Sequence, residues 1–459
     1  MTAMRSASRR QAQPDKPGVA RALGLVMIGS ALTPLVGALS GPILSRALGV
    51  AGRGQVAAAT APLTFGVTIG TLGLAQALTY QVARERVVDP RALRQLIVRC
   101  LVSGVILSAA VLALSGELSD HVGRTQHLMW FATAFLAPAL VVVLYRGLAS
   151  GAQMFRLVAG EQVVSAAFRA AILIFFVSIG GLTTSTAVLS VAAPLVLGGL
   201  VYLFAAERMG AITQRVRRSA RGDIRAMQAY GNRIWLGSIG GILLTRLDQL
   251  IVAPLSDLTQ LGLYVTAVNV AEVLLVGVNS LNDVIFATDS AESDDERALT
   301  SARLATLALA VVGGAVALIA PIAVPLVFGA DFRGAVLPTQ MLVAATVVLV
   351  PGIVAGAVLT ARNQPQLRSL SLILGAITNA IVLVLLVPTF GATGAAWATL
   401  AGNVAFASGN IVFASRRAGL RARCLFGLRR SDLALLRSSV TAVLPSAARR
   451  RRQEGVASA

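Results

Sequence analysis

Apolar residues in this chain come in long runs, and polar residues fall in short gaps between them. A helix needs about 20 apolar residues to cross a bilayer. Twelve stretches meet that length: roughly 22–45, 56–81, 95–115, 127–149, 157–180, 184–206, 233–254, 262–287, 304–328, 335–360, 369–389 and 391–414. The gaps are too short for a soluble domain. The longest, around 207–232, is basic: "ERMGAITQRVRRSARGDIRAMQAYGNR". The run after residue 21 has no small-residue cleavage site, so it reads as a first span and not a removed signal peptide.

The two halves are alike. "LSRALGVAGRGQVAAATA" lies between the first and second spans, and "LIVAPLSDLTQLGLYVTAVNV" between the seventh and eighth. Each reads as a tight outer turn followed by a glycine, Gly54 or Gly262, that opens a small-residue helix. A six-plus-six repeat is a transporter pattern. The expected fold is therefore an all-α integral membrane protein, with about 12 transmembrane helices in two six-helix lobes around a central cavity. The expected parts are a basic N-terminus (1–21), an N-lobe (22–206), a basic linker (207–232), a C-lobe (233–415) and a basic tail (416–459). Prolines in or near the spans (Pro42, Pro62, Pro138, Pro194, Pro321, Pro325, Pro351) bend helices. Glycine-rich stretches such as "GSIGG" (237–241) and "GATGAAWATLAG" (391–402) let helices approach closely.

Composition agrees with a membrane location. Hydrophobic residues make up 56% of the chain and charged residues 13%, against about 25% charge in soluble domains. Mean hydropathy is +0.76. The 40 basic residues outnumber the 20 acidic ones. In a membrane protein such an excess marks cytoplasmic flanks. With the N-terminus inside, inner segments hold 33 of the 40 basic residues, and outer loops hold only Arg46, Arg53, Arg124 and Arg333. An even number of spans keeps the arginine-rich tail inside too. The expected location is the cytoplasmic membrane, with both termini in the cytoplasm. Trp130, Tyr264 and Trp397 fall near predicted outer ends and Trp235 near an inner end, as interfacial aromatics do. Two cysteines and two histidines exclude a disulfide scaffold and the usual Cys/His zinc clusters.

The chemistry lies in charges inside the spans: Glu161, Arg169, Arg246, Asp248 and Glu272, with Arg99 and Asp283 nearer the inner surface. A charge at the bilayer centre costs at least about 2.5–3.5 kcal/mol, so such residues face a bundle interior or a wet cavity. Arg246 and Asp248 are two residues apart, about 200° around a helix, and each must find a different partner. Glu272, Asn279 and Asp283 share one helix face, with Asn269 beside it. Glu161 and Arg169 share a face on the fifth span. Asn379, Asn403 and Asn410 add polar groups to the last two spans. Two readings stand together. In one, these residues pair across helices for structure, Arg246 with Glu272 for instance. In the other, they line a hydrated cavity: Arg246, Arg169, Asn269 and Asn379 would hold an anionic substrate such as a diphosphate. Asp248, Glu272 or Glu161 would bind a coupling proton or sodium ion. No cofactor, metal or catalytic residue is expected.

Other motifs carry less. "GVAGRG" (49–54) lacks the Lys-Ser/Thr of a phosphate loop. "ESDDER" (292–297) has no ligand spacing and reads as a solvated acidic turn. The tail's "ARRRRQ" (448–453) suits anionic lipid headgroups, and nothing aromatic or folded accompanies it to suggest nucleic acid.

Three stretches resemble one family. "RALGVAGRGQVAAATAPLTFGVTIGTLGLAQALT" (46–79) is similar to the first outer turn and second span of the polysaccharide-type lipid flippases. "TRLDQLIVAPLSDLTQLGLYVTAVNVAEVL" (245–274) is similar to their seventh and eighth spans, and "GATGAAWATLAGNV" (391–404) to their last. Arg246 and Asp248 match that family's Arg-x-Asp, and Gly262 and Tyr264 its Gly-x-Tyr. These are the O-antigen and exopolysaccharide flippases of the multidrug/oligosaccharidyl-lipid/polysaccharide exporter superfamily. The resemblance implies two six-helix lobes with alternating access and cation coupling. It also implies movement of polyprenyl-diphosphate-linked oligosaccharide from the inner to the outer leaflet, with polysaccharide polymerases or glycosyltransferases as possible partners. A multidrug exporter of the same superfamily would favour acidic, aromatic-rich cavities, and this chain has 5% aromatics and central arginines. A membrane polymerase or glycosyltransferase would show a large outer loop or a paired outer acid. A peptidoglycan-precursor flippase would have two further spans.

Overall fold

The computed structural model describes residues 16–85, 87–117, 125–210, 213, 239–292, 295–362 and 364–418. Among them every extended element is helical, and the only β-type pairing is an isolated bridge between Val88 and Thr213. Lipid offers no hydrogen bonds to a backbone, so an open spanning segment satisfies its own groups as a helix. The linker at 214–238, the tail beyond 418 and the side chains of Asn279 and Asp283 lie outside the described residues.

The chain divides into two compact units, Met1–Leu236 and Gly237–Ala459. The first contains α1 (Lys16–Ile69), α2 (Leu74–Glu85), α3 (Pro90–Glu117), α4 (Gln126–Thr133), α5 (Leu136–Gly151), α6 (Phe155–Ser178), α7 (Thr184–Leu197), α8 (Leu200–Phe204) and α9 (Ala206–Gly210). The second contains α10, described over 239–255, then α11 (Leu258–Glu292), α12 (Asp295–Phe328), a 3-10 turn (Ala330–Ala335), α13 (Val336–Ala361) and α14 (Pro365–Ala418). Nine stretches of the described residues are long and apolar enough to cross a membrane.

At about 1.5 Å per residue, a straight 54-residue helix would be roughly 81 Å long, over twice the bilayer core. Both 54-residue helices are broken at a glycine: α1 at Gly49 (φ 68°) and α14 at Gly391 (φ 54°). That backbone conformation is open to glycine and strained for other residues. The α14 break is a reversal. Asn379 and Gly402, 12 and 11 residues from Gly391, lie against each other. The break expected between the first two spans thus comes at Gly49, five residues ahead of Gly54, which stays inside the helix. Likewise α11 starts at Leu258, with the Asp257 carboxylate accepting the Gln260 N–H at 2.7 Å, so Gly262 lies within the helix and does not open it. Pro138 sits in the first turn of α5, where no helical N–H is lost. Pro194, Pro321, Pro325 and Pro351 lie inside helices.

Packing follows the sequence pattern. In the first unit, Leu136, Leu140, Leu144 and Leu148 form a ridge along α5 at spacing four, all fully buried. Gly147 and Gly151, also four apart, bring α5 onto α2. A Cβ on either would come within 2.6 Å of the Ala75 or Thr79 carbonyl oxygen, and the Thr79 hydroxyl donates to the Gly147 carbonyl at 2.9 Å. Outward faces are apolar as well. Val98, Leu101, Val102, Val105 and Ile106 on α3 are exposed at the spacing of one helix face, which is a lipid-facing stripe. Trp130 and Trp397 are half-exposed. Tyr264 is not an interfacial aromatic: it is fully buried, because its hydroxyl is turned inward to a carboxylate.

Candidate functional site

The second unit builds its polar site around two turns. α10 ends at the Ser256–Asp257 turn, and Asp248 lies eight residues before Ser256 on α10. Tyr264 lies seven residues after Asp257 on α11. Thr399 lies eight residues after the reversal at Gly391. At about 1.5 Å per residue, all three side chains are near 12 Å from a turn and therefore level. Gln260 ties the turns together, its side-chain oxygen accepting the Ala392 N–H at 3.0 Å.

The three levelled residues meet. The Tyr264 hydroxyl donates to Asp248 Oδ2. Thr399 Oγ1 lies 3.0 Å from the Tyr264 hydroxyl and 3.5 Å from Asp248 Oδ2. The Gln249 N–H donates to Asp248 Oδ1 at 2.7 Å. Asp248 is 4% exposed. Hydrogen-bond donors here do for a carboxylate what water does elsewhere.

Two residues before Asp248, Arg246 points to another side of α10. Its Nη1 lies 3.1 Å from Glu272 Oε1 on α11, and the two side chains are 43% and 32% exposed. Arg246, Asp248, Tyr264, Glu272, Thr399 and Asn403 all line one cavity of about 290 Å³, whose remaining wall is largely aliphatic. Asn403 donates to the Ala345 carbonyl at 3.1 Å, and Asn410, seven residues on, to the Gly352 carbonyl at 3.0 Å. These two bonds fix the second half of α14 to α13.

The other sequence candidates are placed elsewhere. Asn379 is fully buried against Gly402. Neither of its amide atoms has a hydrogen-bond partner, and it is not on the cavity wall. Its side chain is enclosed where the two arms of α14 cross, so it cannot be a wall residue of that cavity. Asn269 also lies off the wall. Glu161 and Arg169 belong to the first unit. Glu161 accepts Arg146 Nε at 2.7 Å and Nη2 at 2.8 Å, with the Tyr202 hydroxyl at 3.4 Å. Arg169 Nη2 donates to Ser40 Oγ at 2.8 Å. Sequence reasoning missed Arg146, which it counts among inner-loop cations. The residue lies inside α5. The signal for it is the unmatched acid Glu161 one helix later. Among the described residues no three His, Cys, Asp or Glu side chains gather as a metal site would require.

Residues 19–287, well over half the chain, match the sequence profile of polysaccharide biosynthesis proteins. The chain belongs to the polysaccharide biosynthesis protein family. The match covers the first unit from residue 19 onward and reaches through Arg246, Asp248, Tyr264 and Glu272. No curated protein sequence gives a match. This polysaccharide biosynthesis protein also shares its fold with solved membrane transporters. The lipid II flippase MurJ in an inward closed conformation superposes with a TM-score of 0.67 at 10% identity, over 85% of this chain and 87% of that one. An inward-facing multidrug resistance MATE family transporter of the MOP superfamily gives 0.63 at 14% identity, over 84% and 94%. A MOP superfamily transporter from Pyrococcus furiosus gives 0.53 at 14% identity, over 87% and 95%. At these identities the likeness is one of fold. With nine candidate spans among the described residues, all of them helical, this member of the family is a multi-pass membrane protein.

Proposed function

We propose that this protein is a flippase for polyprenyl-diphosphate-linked oligosaccharide. It works by alternating access in the cytoplasmic membrane, with both termini in the cytoplasm, and supplies cell-surface polysaccharide synthesis. The observation that carries this reading is the cavity of the second unit, in a family defined by polysaccharide biosynthesis. It places a partly exposed guanidinium, Arg246, beside two carboxylates on an otherwise aliphatic wall. A diphosphate matches a guanidinium fork, and the aliphatic wall suits a polyprenyl chain. Asp248, held by Tyr264 and Thr399, is the candidate for a coupling proton or sodium ion. A transporter needs no catalytic residue. Polymerases and glycosyltransferases, which make and use such substrates, are the natural partners.

The test is flipping of a labelled polyprenyl-diphosphate oligosaccharide in proteoliposomes, comparing wild type with Arg246→Ala at equal incorporation. Loss of a charged contact should lower kcat/KM roughly tenfold to a hundredfold. Unchanged flipping would return Arg246 to a structural role. Absence of flipping with export of cationic dyes would replace the flippase reading with a drug exporter.

A further inference from the structure

Two ion pairs among the described residues, Arg146–Glu161 and Arg246–Glu272, are built differently. Arg146 and Glu161 meet through two hydrogen bonds, and the Glu161 side chain is 3% exposed. A carboxylate so enclosed, with both oxygens on Arg146 and the Tyr202 hydroxyl 3.4 Å from Oε2, is fully engaged. Arg246 and Glu272 approach through one nitrogen at 3.1 Å, both side chains open to the cavity. A guanidinium carries five N–H donors in a fork. One carboxylate oxygen opposite one nitrogen leaves most of that fork for something else.

We propose that Glu272 is a tethered competitor for the anionic headgroup that Arg246 receives. This rests on the reading of Arg246 as a headgroup contact. A phosphate offers several oxygens in the geometry of the fork, whereas Glu272 as held here presents a single oxygen to it, so phosphate displaces the carboxylate. When the headgroup leaves, Glu272 returns, and Arg246 is never left uncompensated among aliphatic side chains. The carboxylate thereby sets affinity. It weakens every phosphate ligand by one common factor and shortens the stay of the transported headgroup. The first unit's pair cannot work this way, because Glu161 has nowhere to go.

The test uses the full-length protein in lipid nanodiscs, titrated with farnesyl diphosphate and farnesyl monophosphate. Glu272→Gln should bind both about three- to fivefold more tightly, the range a solvent-accessible ion pair can contribute. Arg246→Ala should weaken both, and adding Glu272→Gln to it should restore nothing. In flipping assays Glu272→Gln should lower both KM and kcat, because binding tightens and release slows. Glu272→Ala, which removes the carboxylate without an amide in its place, decides the matter should the glutamine variant melt early. Two results overturn the proposal. If both Glu272 variants bind no better than wild type while Arg246→Ala still binds less, the headgroup site stands and Glu272 is only a brace. If Arg246→Ala binds as wild type does, the headgroup reading itself fails and the competitor goes with it.

Discussion

Asp248 is an almost fully enclosed carboxylate whose nearest support is a phenol, a threonine hydroxyl and one backbone N–H. Removing the phenol leaves the acid short of a donor in an apolar bundle. Tyr264→Phe should therefore lower stability by about 1–3 kcal/mol, seen as earlier thermal unfolding in detergent. A melting curve that superposes on wild type would mean Asp248 does not depend on that bond. The acid and Arg246 were both legible in the sequence, as charges inside an apolar run two residues apart. Their partners were less so. Glu272 could be named because one helix face collected it. Tyr264 read as an interfacial aromatic, since distance to the nearest turn says how deep a residue lies but not which way it points. Arg146 read as a loop cation because it stands near the end of its apolar run, and only the acid 15 residues later betrays it.

At the scale of elements, run length points to a helical membrane protein, with nine candidate spans among the described residues, and glycine decides where the longest helices break. The reversal in α14 falls at Gly391, where one predicted span ends and the next begins. Its place is fixed by two demands, a positive φ and room for the Gln260 side chain. Gly391→Ala offends both. The strained backbone costs about 1–2 kcal/mol, and a Cβ would push aside the carboxamide that caps Ala392. Expected is a loss of at least about 2 kcal/mol in total, with Gln260→Ala adding little on top because the cap is already lost. Strict additivity of the two changes in a chemical-denaturation experiment would show that Gln260 and Gly391 are not coupled. The Gly54 and Gly262 turns were misplaced by several residues for a related reason. A turn needs one residue of permissive backbone or one capping side chain, and Gly49 and Asp257 supply these. The later glycines, Gly54 and Gly262, are buried inside their helices.

At the scale of the molecule, the arginine distribution predicts a topology that cysteine labelling can check. In a background lacking Cys100 and Cys424, a cysteine replacing Leu182 should react with a membrane-impermeant maleimide from outside intact cells. One replacing Gln364 should react only after permeabilisation. The reverse pattern would invert the orientation and place the basic linker on the wrong side. The division into units at Leu236 and Gly237 lies close to the second edge of that linker. The seam between α13 and α14 bears on how this chain can change over generations. Asn403 and Asn410 reach Ala345 and Gly352, and both pairs are seven residues apart. One residue inserted between the asparagines would turn Asn410 by about 100° and carry its amide off the Gly352 carbonyl. Point substitutions around the seam can be absorbed singly, but a length change in either heptad cannot. Descendants of this gene should therefore gain and lose codons in the linker and tail, while those two intervals of seven keep their count.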